Sequence, residues 1–266
     1  MTSDEVLYSS AERVATIAFN RPDVRNAFGE TTRDRLETLL NQSEDDDDVG
    51  CVVITGVGDA FAAGGDVKSM GALQAKNDST VLTARMQTAA RVVQLIRAMT
   101  KPVVAAINGP AAGGAMNLAL ACDIRYAAQN AIFAESFVKI GLVPDWGGHY
   151  LLTRIVGTSM AMELLMLGER IDAAEALRLG IVNNVFPADT FREEVRKRAV
   201  KLAAGPRQAI AAIKQGVYVG AEESLGETLA FEERKQSQMF LSDDAREGIA
   251  AFVEKRAPKF GKFKQK

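Results

Sequence analysis

The sequence is poor in the residues that build metal or redox centres. Of its 266 residues one is histidine, His149, and two are cysteines, Cys51 and Cys122. A multi-histidine metal site is thereby excluded. There is no CxxC, and each cysteine lies in an apolar run, so both are expected to be buried free thiols. No apolar run approaches the ~20 residues of a membrane span. The opening MTSDEVLYSS lacks the basic and apolar regions of a secretory leader. The expectation is a cytoplasmic protein with no membrane partner. A large excess of charge is also missing. The net charge of −2 argues against a nucleic-acid partner, which usually meets a basic surface. Neither GxGxxG nor GxxxxGK[ST] occurs, so phosphate cradles of those types are unsupported. GxSxG is absent too, and Ser136 and Ser159 lie in no nucleophile elbow.

What remains is ordinary globular material, 47% hydrophobic and 25% charged, enough for one large domain or a core with an appendage. The chain is organised around residues 101–123, KPVVAAINGPAAGGAMNLALACD. A β-branched run at 103–107 reads as a strand. Asn108-Gly109-Pro110 is a turn signal, and an apolar helix can follow at 116–121. Gly113-Gly114 sits at the junction, where bare backbone N–H groups at a helix start favour negative charge. A second glycine-bearing junction is Ala60-Phe61-Ala62-Ala63-Gly64-Gly65-Asp66-Val67-Lys68. Each junction fits close helix-on-sheet packing. The pair also fits two N–H groups converging on one oxygen, an oxyanion hole.

Elsewhere, 5–10 and 13–19 read as a hairpin turning at Ser10-Ala11-Glu12, and 50–56 as a strand buried on both faces. Helical periodicity covers 30–42 and 80–99, the latter with Val81, Met86, Ala89, Val92, Val93 and Ile96 inward. The acidic run 44–48 is expected to be a solvated loop. Short strands are expected at 123–127 and 131–134, and a loop at 141–148. Helices follow at 148–155, 159–167, 173–179, 188–203, 206–217, 222–239 and 242–255. The tail ends Lys259-Phe260-Gly261-Lys262-Phe263-Lys264. Strand–helix alternation early and helices late give an α/β class. Asp145, just before the helix at 148, is an N-cap candidate or a loop carboxylate able to act as a base. His149 can share a helix face with it, or be merely structural. Arg25 and Lys68 are solvated charges or phosphate grips. Trp146 is core or a pocket wall.

Taken together these motifs resemble the crotonase superfamily, the enoyl-CoA hydratase/isomerase family, nearly end to end. Asn20-Arg21-Pro22 with Arg25-Asn26-Ala27 resembles its first acyl-CoA loop. The 60–68 junction resembles its first oxyanion loop, and 107–123 its signature. Further matches are Ala173, Glu175, Ala176 and the run Leu179-Gly180-Ile181-Val182, and later Ser242-Asp243-Asp244 through Arg256. The resemblance implies a ββα spiral core, 1–203, and a C-terminal helical oligomerisation region, 204–266, in a homo-oligomeric trimer or hexamer. It implies an acyl-CoA thioester substrate and no cofactor, coenzyme A being part of the substrate. The thioester oxygen would be held by the N–H groups of Gly65 and Gly114. Arg25, Ala27, Ala63 and Lys68 would line the CoA site, with Phe252 and Lys255 added from the C-terminal helix of the same or a neighbouring subunit.

The family's hydratases carry two water-activating glutamates. The matching positions here are Asn117 and Phe137, and Glu135 is expected to point away from that pocket. One carboxylate stays on the loop 142–148, at Asp145, which resembles the 1,2-epoxyphenylacetyl-CoA isomerase-like branch. A single base can remove a proton and return it elsewhere. The sequence therefore points to an acyl-CoA isomerase with Asp145, Gly65 and Gly114 catalytic, and Asn117, Phe137 and Trp146 shaping the pocket. The alternatives are a one-carboxylate hydratase and a non-catalytic acyl-CoA-binding member.

Overall fold

The computed structural model describes residues 4–77 and 79–261. Lys262, Phe263 and Lys264 of the tail lie outside them. Among the described residues no helix is long and apolar enough to cross a membrane.

The chain opens with a hairpin, β1 (Val6–Ala11) and β2 (Val14–Phe19). Its turn is Glu12-Arg13, one position later than expected. Both residues have positive φ, 51° and 64°. That is the backbone of a two-residue turn matching strand twist. Helix α1 (Thr32–Asp45) follows and takes in Glu44 and Asp45, so only part of the acidic run is loop. Then come β3 (Cys51–Gly56), α2 (Val67–Gln74) and α3 (Thr80–Ala98). Residues 101–123 fold as β4 (Val103–Ile107), β5 (Ala111–Ala112) and α4 (Gly114–Ala121). The remainder is β6 (Ile124–Ala128), β7 (Ile132–Ala134), α5 (Gly148–Val156), α6 (Thr158–Leu167), β8 (Arg170–Asp172), α7 (Ala173–Arg178), β9 (Asn184–Phe186) and α8 (Phe191–Ala203). Three helices close the chain, α9 (Arg207–Glu222), α10 (Leu225–Phe240) and α11 (Asp243–Val253).

The main sheet runs β1-β2-β3-β4-β6-β9, parallel from β2 onward. Its strands are apolar throughout because both faces are covered. Side chains alternate between the faces. Ile17, Val52, Ile54 and Ile107 meet Leu36, Leu39, Val92 and Ile96 of α1 and α3 on one side. Val14, Val53, Val104 and Ala106 meet Phe191, Val195 and Ala199 of α8 on the other. Burying a side chain of this size contributes about 1.5–3 kcal/mol, so this double interface is the main source of stability. The expectation for α3 fails at one position: Val81 is exposed, in the first turn of the helix, before its buried stretch begins at Thr88.

A second, smaller sheet, β5-β7-β8, stands beside the first. The single bridges Ala62↔Ala111 and Phe28↔Gly65 continue its parallel pairing into the earlier loops. The chain thus visits the large sheet, then the small layer, then a helix, and repeats. This is the ββα spiral, with a helical C-terminal region. Strands β5, β8 and β9 carry two or three residues each, too few to show a period.

Candidate active site

The two glycine junctions lie side by side. Ala112 N–H donates to Ala62 O at 3.1 Å, and Phe28 N–H to Gly64 O at 2.7 Å. A Cβ on Gly64 would stand 3.4 Å from Gly114 N and 2.5 Å from Ala112 O. Gly64 (φ 83°) and Gly113 (φ 52°) also hold backbone conformations that side-chain-bearing residues avoid. Phe28 brackets Gly65 with its own N–H and C=O, so the Gly65 N–H points away from that loop. Neither the Gly65 nor the Gly114 N–H meets an acceptor among the described residues. Gly114 opens α4, whose first-turn donors have no partner within the helix.

The loop 21–28 is tied to this layer by Asn26, a residue not singled out from the sequence. Asn26 is buried. Its Oδ1 accepts from Arg21 N, and its Nδ2 donates to Val57 O and Ala60 O, each at 2.9 Å. These bonds hold Arg25 and Asn26 at positive φ. Arg21 adds an ion pair to Asp66 at 3.2 Å. Ala63 N–H donates to Arg25 O. Arg25, Ala63 and Lys68 are exposed on this edge, and Ala27 is buried behind them.

Asp145 is not a helix cap. Gly147 is the N-cap of α5, and no side chain caps the helix. Trp146 and Gly147 both have positive φ, 51° and 79°, which breaks any helix between Asp145 and His149. His149 is exposed on α5 and makes no hydrogen bond with Asp145 among the described residues. The same turn drives Trp146 inward. It is both core and pocket wall: it packs on Phe28 with ring centroids 5.4 Å apart, and its indole lies against Gly114. The Phe137 ring covers Gly113. Among the described residues no cation stands within ion-pair distance of Asp145, and its Oδ1 has no hydrogen-bond partner. Burial pushes its carboxyl up to about 6, against the pull of Arg33.

Arg33, also unmarked by the sequence, is 4% exposed. It donates to Gly29 O at 3.3 Å and lies over the Phe28 ring. Burial lowers its pKa, as does the neighbouring Arg85.

Asn117 is fully buried. Its Nδ2 donates to Asp145 O at 3.0 Å and reaches Glu135 Oε2 at 3.5 Å. Glu135 is therefore not turned away. It precedes a 3-10 turn, Ser136–Ile140, and is 2% exposed, with its carboxyl beside Asn117. The structure thus gathers Gly65, Gly114, Asn117, Phe137, Asp145 and Trp146 into one place. Phe252 and Lys255 are exposed at the end of α11, and among the described residues no hydrogen bond or ion pair joins them to it. Next to Gly65, whose Cβ position is filled by the Met70 methyl, opens a cavity of about 430 Å3 lined by Val67, Met70, Leu73, Leu82, Ile140 and Leu142.

The profile of the enoyl-CoA hydratase/isomerase family matches residues 9–264. The chain belongs to that family. A probable enoyl-CoA hydratase of Rhodobacter capsulatus is 39% identical over 260 residues, covering 98% of this chain and 99% of its own length. One of Mycobacterium bovis is 37% identical, with the same coverage of both chains. The crystal structure of an enoyl-CoA hydratase from Polaromonas sp. JS666 superposes with a TM-score of 0.91 at 35% identity, covering 96% of this chain and 99% of that one. The crotonase-type architecture follows from this likeness together with the spiral described above.

Proposed function

We propose that the chain is an acyl-CoA isomerase in which Asp145 is the acid/base group and the Gly65 and Gly114 N–H groups hold the thioester oxygen. The observation that carries this reading is the unpartnered Asp145 Oδ1 against Gly114, with Asn117 and Phe137 where a hydratase of the family would place its glutamates. Asp145 takes a proton from a carbon next to, or conjugated with, the thioester carbonyl. The electron pair moves onto the carbonyl oxygen, where the two N–H groups stabilise it. Asp145 then returns the proton to the other end of the conjugated system, and the double bond has moved. No water is consumed. Such a base is worth about 10²–10⁴ in rate, and a backbone donor about 10²–10³.

In the same reading Arg25, Ala27, Ala63 and Lys68 border the coenzyme A, and the acyl group occupies the apolar cavity beside Met70. The helices after residue 203 form the oligomer interface of a trimer or hexamer. This accounts for apolar side chains left exposed on them, among them Ile213, Val217, Leu225, Phe240 and Phe252. Phe252 and Lys255 then reach a neighbouring subunit's CoA.

A hydratase is the second reading, favoured by the names of the relatives and by the buried Glu135 near Asp145. Incubating a crotonyl-type CoA ester in ¹⁸O-labelled water separates the two. Migration of the double bond without label supports isomerisation. Label in a β-hydroxyl group supports hydration and overturns the isomerase. Tight ester binding without turnover across a broad panel points to a non-catalytic binding member.

A further inference from the structure

Three neighbouring side chains, Asp145 among them, leave buried oxygens unpartnered among the described residues: Asn117 Oδ1, Glu135 Oε1 and Asp145 Oδ1. All three are acceptors when both acids are ionised. The amide donor between them, Asn117 Nδ2, is already committed to Asp145 O and Glu135 Oε2. One more proton would supply the donor that the group lacks. Unpaired acceptors in a buried site are costly, and two buried carboxylates this close do not both ionise readily.

We propose that Glu135 is a second functional carboxyl group, held protonated behind Asn117 while Asp145 is ionised. It acts as a positioning residue that orients Asn117 and keeps a second negative charge out of the pocket. This rests on the reading of Asp145 as the base. Being 2% exposed, Glu135 does not meet the substrate. It meets Asn117, and Asn117 holds the Asp145 backbone.

The surroundings agree. Burial and the Asp145 charge push Glu135 up to about 8, whereas Asp145 is raised only to about 6. Arg33 from α1 faces Asp145, with Arg85 and Asp34 behind it. On the other elements around Glu135, Lys139, His149, Glu163 and Arg170 are exposed. Between these two values one carboxyl is ionised and the other neutral, the division of labour that acid/base sites use. Above the upper value Glu135 ionises, and its charge opposes an enolate forming nearby. The pair therefore gives a bell-shaped kcat/KM profile, rising near pH 6 and falling near pH 8.

The test is Glu135→Gln, with Asp145→Asn and Glu135→Asp beside it. The glutamine variant should lose the alkaline limb near pH 8 and keep the acid limb. Its kcat at neutral pH should fall only a few-fold, with KM held. Glu135→Asp should retain an alkaline limb at a displaced pH. Persistence of the wild-type alkaline limb in Glu135→Gln overturns the proposal. If that variant does not fold, ¹³C NMR titration of the wild-type carboxyls decides, and the absence of a carboxyl titrating near 8 overturns it equally. An active Asp145→Asn enzyme refutes the base itself. An inactive one beside an unchanged alkaline limb in Glu135→Gln refutes the role of Glu135 alone.

Discussion

The Asp145 carboxylate rests on the backbone of Gly114: a Cβ added to Gly114 would stand 3.1 Å from Asp145 Oδ1. A group able to take a proton thus lies beside an N–H that meets no acceptor among the described residues and can stabilise the charge that results. In a thioester the acidic carbon and the carbonyl oxygen are two bonds apart, so one small pocket serves both. Asp145→Asn keeps the shape and removes the base. We expect CoA-ester binding to survive, measured by calorimetry, and turnover to drop at least about a hundredfold.

The two glycines should respond differently to alanine. At Gly114 the added methyl meets the Trp146 indole at 2.8 Å and 2.9 Å as well as Asp145. The indole is held by Phe28 and cannot withdraw, so kcat should fall by about 10²–10³ and stability should fall with it. At Gly65 the new methyl displaces only the flexible end of Met70. Its thermal midpoint should stay closer to wild type, with any loss appearing in kcat.

The acid limb of kcat/KM should lie near pH 6, where Asp145 ionises. Activity is lost below it as the base takes up a proton. Arg33 holds this value down against desolvation. Arg33→Met, which keeps an apolar stem over Phe28, should move the acid limb to higher pH. A limb that stays in place or moves lower would show that the Arg33 charge does not reach Asp145.

Stability should decline as pH rises from about 4.5 to about 8. Glu135 is raised from 4.5 to about 8 on folding. Between these values the unfolded chain has released this proton and the folded chain has kept it. The slope of unfolding free energy with pH is then negative. Asp145, raised from 3.8 to about 6, adds the same sign at lower pH. Urea denaturation at pH 5 and pH 8 should show the loss, and Glu135→Gln should shrink it.

Much of the site was legible because glycine and asparagine-proline punctuation marks junctions wherever they fall. Gly64-Gly65, Gly113-Gly114 and the loop around Asp145 were found this way, as were the buried thiols Cys51 and Cys122, whose pKa values burial raises to about 12. Arg33 and Glu135 were not legible in the same way. A charged residue on an amphipathic helix, or beside a short strand, carries no local sign of burial. Glu135 was expected to point away from the pocket, but residues two apart on an extended strand share a face, so that expectation did not follow from parity. The structure sets Glu135 beside Asn117, with the 3-10 turn after it carrying Phe137 over Gly113. Asn26 looked like an ordinary loop residue because its acceptors, Val57, Ala60 and Phe61, are over thirty positions away.

The sequence alone determined the alternation of strands and helices, the apolar interior of β3 and β4, the two glycine junctions and the family. Each depends on periodicity, turn chemistry or several motifs in order, all of them local or one-dimensional. Tertiary structure decided that the junctions pair through Ala62 and Ala111, that Asp145 does not cap α5 and leaves its Oδ1 without a partner among the described residues, and that Glu135 and Arg33 share its surroundings. Those facts depend on which distant backbones hydrogen-bond and which side chains lose water together. The protonation of an acid follows from that desolvation, which no single stretch of chain contains.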